Sequence, residues 1–183
     1  MSAFEARPPY RSYAAILGLY AAGLAGAGAL SRALDRDAQC QTALDLGVLG
    51  LATFKVARTL SRDSVASFVR EPFVRGDARS GDEEPVRTGG FDEAIGDLVT
   101  CTRCIGTWAA AGLASTQILA PRFGRLLTWS LCAAAANDFL QAGFSALTAR
   151  ANRESVTSAQ APRLAARARA GSSPKESSSP RSG

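Results

Sequence analysis

Three long stretches with almost no charge are the feature of this sequence that most limits its fold. Residues 12–31 and residues 104–121 contain no charged side chain, and residues 126–147 contain only Asp138. Each stretch is long enough to cross the hydrocarbon core of a bilayer, which is roughly 30 Å thick and takes about 20 helical residues. Soluble domains rarely carry three such stretches in 183 residues, so we predict an integral membrane protein.

The predicted fold class is all-α, an integral membrane helical bundle with four transmembrane helices. The second span is the weakest, because Asp45 lies at its start and Lys55 and Arg58 near its end. If this segment lies at the membrane interface instead, three helices cross. Small residues recur every four positions on the first and third spans, where they let another helix approach closely in lipid. The four predicted spans are residues 13–34, 44–60, 95–120 and 126–147.

The transmembrane domain is predicted at 13–147, and the segments outside its spans are polar. Residues 1–12 form a predicted cytoplasmic arm, and residues 61–97 form a loop between the second and third spans. The tail at 148–183 is basic and rich in Ser, Pro, Ala and Arg, with almost no large apolar residues. Such a segment cannot bury enough surface to fold, so we predict that it is disordered.

The loop at 61–97 has two parts with different patterns. Apolar residues fall at helical spacing in its first part, which predicts a short amphipathic helix on the membrane surface or on the protein's own spans. Residues 76–90 have no apolar period and are rich in Gly, Asp, Glu and Arg, which predicts a mobile loop. The apolar residues of the predicted amphipathic helix are Val65, Phe68, Val69 and Phe73.

The N-terminal apolar run also has features of a signal peptide. Arg7 and Arg11 precede it, and residues 25–27, Ala-Gly-Ala, suit a cleavage site. The run is long for a signal peptide, however, and further apolar segments follow it. We therefore favour an uncleaved first span.

The basic residues predict which side of the membrane each segment occupies. The net charge of +5 comes from the tail, because residues 1–149 are balanced. With four spans, the arm, the 61–97 side and the tail hold sixteen Lys or Arg residues, against four in the opposite loops. A three-span arrangement with the N-terminus outside also gives sixteen basic residues inside and four outside. Since basic residues prefer the cytoplasm, both arrangements place the loop and the tail in the cytoplasm of a cell-membrane protein.

Cys101 and Cys104 are separated by two residues at the start of the third span. A helix N-terminus and the nearby Arg103 favour the thiolate form, as in a reactive dithiol. A structural zinc ion takes four N or S ligands, and the sequence has no histidine, so a metal site would need a pair from a second subunit. Structural cysteines, a redox-active dithiol and a shared metal site are the three interpretations; Cys40 and Cys132 fall towards the other leaflet or the mid-membrane.

Asp138 is the one acid in the fourth span, and an acid at that depth is costly unless it is paired, protonated or facing water. Helix geometry puts it at a depth similar to Lys55 and Arg103, so we predict that it pairs with one of them. A structural ion pair that fixes helix register is favoured over a polar site that gates a solute or tunes the thiols. The candidate intramembrane cluster consists of Asp138, Asn137, Gln141, Lys55, Arg58 and Arg103.

Residues 97–108, DLVTCTRCIGTW, resemble the core of a small bacterial membrane-protein family catalogued only as domain of unknown function thirteen-sixty. Its pattern reads loosely E-L-x-T-C-P-x-C-x-G-x-W ahead of an apolar helix. Residues 51–63 and 137–141 look similar to it as well, and the resemblance covers about residues 44–147. This chain has Asp97 at the acidic position and Thr102 at the position of the Pro. The resemblance implies a multi-pass membrane protein and no known activity.

Function is less constrained than architecture. The sequence contains no Gly-rich phosphate loop, nucleophile elbow or paired-carboxylate site, and it implies no cofactor and no specific nucleic-acid recognition. Our first interpretation is a non-enzymatic membrane protein that assembles with itself or with another membrane protein through its small-residue helix faces. A membrane thiol protein that uses Cys101 and Cys104 is the alternative. A small transporter or channel component that uses Asp138 is the third.

Overall fold

The computed structural model describes residues 8–36 and 42–171, and side chains as far as residue 154. These ranges contain six α-helices and one pair of two-residue strands, which confirms the helical fold class. The chain divides into two compact units, Met1–Asn137 and Asp138–Gly183. Cys40 lies outside the described residues.

Helix α1 (Tyr10–Ala33) corresponds to the predicted first span. Ser12 is its one buried residue, and its large leucines are exposed. Among the residues that the structure describes, α1 is the one helix long and apolar enough to cross a membrane, a test that a signal sequence near an N-terminus also passes. An apolar N-terminal helix is therefore confirmed. Membrane crossings by the second, third and fourth predicted spans stay predictions.

Helix α2 (Ala43–Arg62) corresponds to the predicted second span. It begins at a capping box, in which the Thr42 hydroxyl accepts the N–H of Asp45 while the Asp45 carboxylate accepts the N–H of Thr42. This arrangement satisfies two N–H groups that a helix start leaves unpaired. The buried side of α2 is made of small residues and one valine: Val48, Ala52, Ala57 and Ser61.

Between α2 and the next long helix, the structure has short turns and a small hairpin. Two 3₁₀ turns (Ser64–Ala66 and Glu71–Phe73) flank the four-residue helix α3 (Ser67–Arg70). The predicted amphipathic helix is therefore wrong as one continuous element. The buried residues of this stretch are Ala66, Arg70 and Val74, whereas Val65 and Phe68 are largely exposed. The placement of these apolar residues on the membrane surface therefore stays a prediction.

The segment expected to be a mobile loop contains strand β2 (Glu84–Pro85), which pairs with β1 (Val74–Arg75) in antiparallel register. Gly81 anchors its centre, because it has a φ of +76° and a Cβ there would lie 2.8 Å from the Arg62 carbonyl oxygen. Only glycine accommodates both conditions at no steric cost. The segment is thus held against the end of α2.

The predicted third span is divided into two helices, α4 (Phe91–Thr100) and α5 (Thr102–Leu119), by a non-helical Cys101. The reason is that the two halves pack against different partners. Gly96 of α4 lies so close to the hairpin that a Cβ would be 2.5 Å from the Phe73 carbonyl oxygen, whereas Gly106 of α5 faces Ala57 of α2. Among helices α1 to α5, α2 and α5 share the largest interface.

Helix α6 (Pro121–Gly171) follows directly, and Pro121 ends the preceding helix as predicted. Gly124 makes the tight turn feasible, since a Cβ there would lie 2.6 Å from the backbone of Gln117. The amide of Gln117 donates to the hydroxyl of Thr128 at 2.9 Å and joins the two helices. Within the first unit α6 runs as far as Asn137.

The second unit continues α6 from Asp138 to Gly171. It includes residues 148–171, where the sequence led us to predict disorder. Ala and Arg are strong helix formers, and Arg150 and Glu154 form an i,i+4 pair at 3.3 Å, so local propensity accounts for the difference. The rest of the predicted tail, residues 172–183, lies outside the described residues.

Contacts between helices define two ends of the first unit. The start of α1, the end of α2 and the start of α5 meet at one end, which we call the thiol end: Tyr13 contacts α4 there, and the hydroxyls of Ser61 and Thr102 are 2.8 Å apart. The start of α2 and the turn between α5 and α6 form the other end, the groove end, where Asp45 interacts electrostatically with Arg125. Helix α2 is therefore antiparallel to α5.

Candidate functional site

Cys101 and Cys104 form a disulfide at the break between α4 and α5. Cys101 is the N-cap of α5, with extended backbone angles, and its Sγ accepts the N–H of Cys104 at 3.3 Å. Thr102 occupies the first helical position, where Pro is favoured in other helices and where the pattern of the resembling family has Pro. The pair thus lies on the first turn of α5.

The two sulfur-bearing residues differ in exposure. Cys104 is exposed, Cys101 is half-buried, and Arg103 between them is exposed. If the disulfide is reduced, the positive end of the helix and the Cys104 N–H favour a thiolate at Cys101. The geometry therefore provides an accessible sulfur for an attacking thiol and a stabilised leaving group beside it.

Contacts between α2 and α5 fix this turn in place. The Ser61 hydroxyl also donates to the Ala57 carbonyl oxygen at 2.8 Å, so Ser61 links the last turn of α2 to Thr102. Tyr20 of α1 packs edge-on against Trp108 of α5, with ring centroids 5.2 Å apart. The thiol pair is consequently carried by a turn that two neighbouring helices hold.

A charged network ties α1, α4 and the hairpin loop together close to the thiol pair in sequence. The Tyr13 hydroxyl donates to the carboxylate of Asp97, the acidic residue of the motif. Arg87 lies 3.1 Å from one oxygen of Glu93 and 3.8 Å from one oxygen of Asp97. The N–H of Gly89, at 2.7 Å, and the Arg87 guanidinium lower the pKa of the buried Glu93, and the bond to Glu93 raises the pKa of Arg87.

Arg70 organises the rest of the loop from a fully buried position. Its Nε donates to Glu83, Nη1 to the carbonyl oxygens of Leu60 and Asp63 at 2.8 and 3.1 Å, and Nη2 to that of Ala78 at 2.7 Å. The side chain of Glu83 is 1% exposed. One arginine therefore satisfies carbonyl groups at the end of α2 and compensates a buried carboxylate.

The members of the candidate intramembrane cluster fall in both units. In the first unit, Lys55 is half-buried, and Arg58, Arg103 and Asn137 are exposed. In the second unit, Asp138 is half-buried and Gln141 is exposed. Asp138 belongs to the second unit and Lys55 and Arg103 to the first. The pairing of Asp138 with either residue stays a prediction.

The described residues contain no group of three or more His, Cys, Asp or Glu side chains arranged to hold a metal ion. Cys132 is a half-buried free thiol in α6. A metal site at Cys101 and Cys104 thus still requires the second subunit that the sequence analysis invoked.

Sequence reasoning missed the groups that organise the thiol end. It quoted Asp97 as the acidic residue of the motif but did not link it to Tyr13, which lies 84 positions away. It also read the stretch around Arg70 by its apolar residues alone. Its partners Leu60, Ala78 and Glu83 lie 8 to 13 positions away, so no local pattern marked Arg70 as buried.

These features define a class: a small helical protein with an apolar N-terminal helix and a disulfide-bonded cysteine pair at a helix start. The profile of the family described as "Protein of unknown function (DUF1360)" matches residues 48–144, which is more than half of the chain. The chain belongs to this family, as its resemblance to the motif led us to expect. No curated protein and no solved structure matches it significantly.

Proposed function

We propose that this protein is a multi-pass membrane protein in which Cys101 and Cys104 form a reversible dithiol–disulfide centre. The observation that carries the proposal is the position of Cys101 at the N-cap of α5, where its sulfur accepts the Cys104 N–H. This position stabilises the sulfur that a reducing thiol would expel. We thus favour the membrane thiol protein over the non-enzymatic assembly protein that the sequence analysis put first.

The membrane arrangement is supported by helix lengths as well as by the sequence. At 1.5 Å per residue, the 20-residue α2 is about 30 Å long and the 18-residue α5 about 27 Å, close to the roughly 30 Å of a hydrocarbon core. The loop at 61–97, the start of α5 and the tail then face the cytoplasm. Reporter fusions after residue 80 and at the C-terminus test this, and an extracellular signal from either fusion contradicts it.

The location of the pair bears on its chemistry. Disulfides in reducing compartments are mostly transient and serve catalysis or sensing. A disulfide at the cytoplasmic end of the bundle would therefore form and be reduced repeatedly, rather than serve as a structural cross-link. On the opposite side of the membrane, which is oxidising, the same disulfide would be a permanent structural cross-link.

The proposed exchange has two steps. A thiolate of a partner dithiol attacks the exposed Sγ of Cys104, the Cys101–Cys104 bond breaks, and Cys101 leaves as a thiolate. The second partner thiol, as its thiolate, then attacks the partner sulfur of the mixed disulfide and releases Cys104. The partner becomes a disulfide, and this chain gains two electrons and two protons as a dithiol. The reverse sequence oxidises the pair again.

Alkylation after acid quenching of intact cells tests this function in the full chain. A chain with Cys40→Ser and Cys132→Ser isolates the pair, and Cys101→Ser and Cys104→Ser are added to it one at a time. When membranes that contain this chain are equilibrated in glutathione buffers, we expect the pair to titrate as a two-electron couple between about −300 and −180 mV. A pair that stays oxidised below that range is structural, and a pair that is never oxidised in cells has no thiol–disulfide function. A labelling change on chelation alone would favour the shared metal site.

Assembly in the membrane is the second candidate function, and one observation favours it. The large leucines of α1 are exposed over its whole length, so this helix offers an apolar surface to lipid or to another helix. Cross-linking of the full chain, compared with a Gly18→Leu and Gly26→Leu variant, tests it. If these changes leave every cross-linked species intact, the small-residue face of α1 is not an interface.

The transporter interpretation is tested separately. It requires solute or ion flux in reconstituted vesicles that is lost in Asp138→Asn and retained in Asn137→Ala. Vesicles that show no flux with the unaltered protein rule this interpretation out.

A further inference from the structure

At the groove end, one side of the first turns of α6 forms an open groove with a volume of about 490 Å³. Its lining residues recur at intervals of three and four positions and so share one side of the helix. Gly124 and Thr128, which are buried beside Gln117 of α5, lie on another side. The groove is lined by Pro121, Arg122, Arg125, Leu126 and Trp129.

The chemistry of the groove changes along the helix. The two arginines are exposed in the first turn, whereas Leu126 and Trp129, 67% and 47% exposed, follow towards the middle of the bundle. Arg122 and Trp129 are about 10 Å apart along the axis at 1.5 Å per residue. The groove is therefore cationic at its start and apolar further along the helix. The separation of these two zones is similar to that between the headgroup of a lipid and the top of its acyl chains.

The charge of the groove favours an anion. Two guanidinium groups lie at the N-terminus of a long helix, where the helix dipole adds positive potential. Asp45 is the acid that interacts electrostatically with Arg125, and its carboxylate already accepts hydrogen bonds from the N–H and the hydroxyl of Thr42. Among the described residues that line the groove, two are arginines and none is acidic.

We propose that this groove binds an anionic phospholipid, with Arg122 and Arg125 on the headgroup phosphate and Leu126 and Trp129 against its acyl chains. A guanidinium group can donate two parallel N–H···O bonds to one phosphate group. A zwitterionic lipid would bring its own cation towards the arginines. The exposed tryptophan favours a lipid over free phosphate, because Trp concentrates at membrane interfaces. The inference rests on the proposed membrane location and not on the thiol chemistry.

Fluorescence of Trp129 provides a direct measurement. The chain has two tryptophans, so Trp108→Phe leaves Trp129 as the only one. The full-length variant is reconstituted in phosphatidylcholine vesicles that contain equal mole fractions of either brominated phosphatidylglycerol or brominated phosphatidylcholine. We expect brominated phosphatidylglycerol to quench Trp129 more strongly at every mole fraction, because it occupies the groove.

Two double variants of the Trp108→Phe chain decide the origin of that preference. Arg122→Gln with Arg125→Gln should lower the relative association constant about tenfold or more, as expected for the loss of charge-assisted hydrogen bonds. Arg75→Gln with Arg79→Gln changes the net charge equally at exposed positions near the thiol end and should leave the preference intact.

Each other outcome overturns the inference in a distinguishable way. Equal quenching by the two lipids means that the chain is in the membrane but the groove has no anionic preference. A preference lost in both double variants means non-specific attraction. A preference abolished by millimolar inorganic phosphate means that the groove is a site for free phosphate. No quenching by either lipid contradicts the membrane location as well.

Discussion

The two ends of the first unit use their charged residues in opposite ways. At the thiol end, Arg70 and Glu93 are buried and their partners come from the protein itself. At the groove end, Arg122 and Arg125 are exposed on one side of a helix. Internal pairing holds a loop and a helix break in place, whereas exposed charge is available to the surroundings. Internal pairing at the thiol end fixes the position of its own elements, whereas the two arginines of the groove end lie at the surface.

The largest expected effect breaks the internal pairing at the thiol end. Arg70→Met removes the partner of buried Glu83, one of whose carboxylate oxygens already has no hydrogen-bond partner among the described residues. Loss of one member of a buried pair costs about 3–5 kcal/mol. Chemical unfolding in detergent measures the change, with Arg79→Met at an exposed position as the control. Equal stability of the two variants would show that the Arg70 network is dispensable.

Two glycine substitutions compare the packing of both ends directly. Gly96→Ala forces a Cβ against the Phe73 carbonyl oxygen at the thiol end, and Gly124→Ala forces one against the backbone of Gln117 at the groove end. Each should lower the free energy of unfolding by about 1–3 kcal/mol. Gly112→Ala in α5 is the control, since nothing lies within 4 Å of its Cβ position, and it should be neutral or slightly stabilising. The packing account fails if all three variants behave alike.

A smaller effect is expected where α1 is joined to α4. Tyr13→Phe removes the hydroxyl that donates to Asp97, and a hydrogen bond to a charged group contributes roughly 1.5–3 kcal/mol. Because the site is half-buried, we expect the lower end of that range. Tyr10→Phe, at an exposed neighbouring tyrosine, provides the comparison. Slower hydrogen exchange in α4 of the Tyr13→Phe protein would contradict the role given to this contact.

The smallest effect is a pH dependence confined to the thiol end. The N–H of Gly89 and Arg87 lower the pKa of Glu93 in the folded state, so the stabilisation is present above the usual carboxyl value of about 4.5. It is lost as the pH falls through the lowered pKa. The protection factor of the Gly89 amide, which compares its exchange rate with that of an unstructured amide at the same pH, should therefore fall in acid. Glu93→Gln should abolish this dependence and exposed Asp92→Asn should preserve it; an unchanged profile in Glu93→Gln would assign the effect to another group.

Local signals account for the helices that were predicted well. The apolar run of α1, the charges that flank α2 and the proline before α6 act within a few residues, and the bounds of α1 and α2 agree with the predicted spans within a few positions. The same signals missed the break at Cys101, because the apolar pattern continues across it. That break arises where Gly96 meets the hairpin and Gly106 meets α2, and no local pattern contains either contact.

The candidate site was predicted in identity but not in arrangement. The sequence placed Cys101 and Cys104 near the start of a helix, and their spacing of three positions puts both on nearly the same side of it. Their disulfide, the N-cap role of Cys101 and the contact of Thr102 with Ser61 depend on how α2 and α5 pack. The predicted pairing of Asp138 links the two units and remains to be measured.

The sequence by itself determined the helical class, the positions of α1 and α2, the family and the candidate cysteine pair. Hydrophobic runs, helix breakers and short motifs suffice for these, because they act over one or two helical turns. The tertiary structure decided that Arg70 is buried with Glu83, that Tyr13 reaches Asp97 and that Ser61 meets Thr102. Each of these interactions joins residues that lie 13 or more positions apart, so only the packing of whole elements brings them within reach of each other.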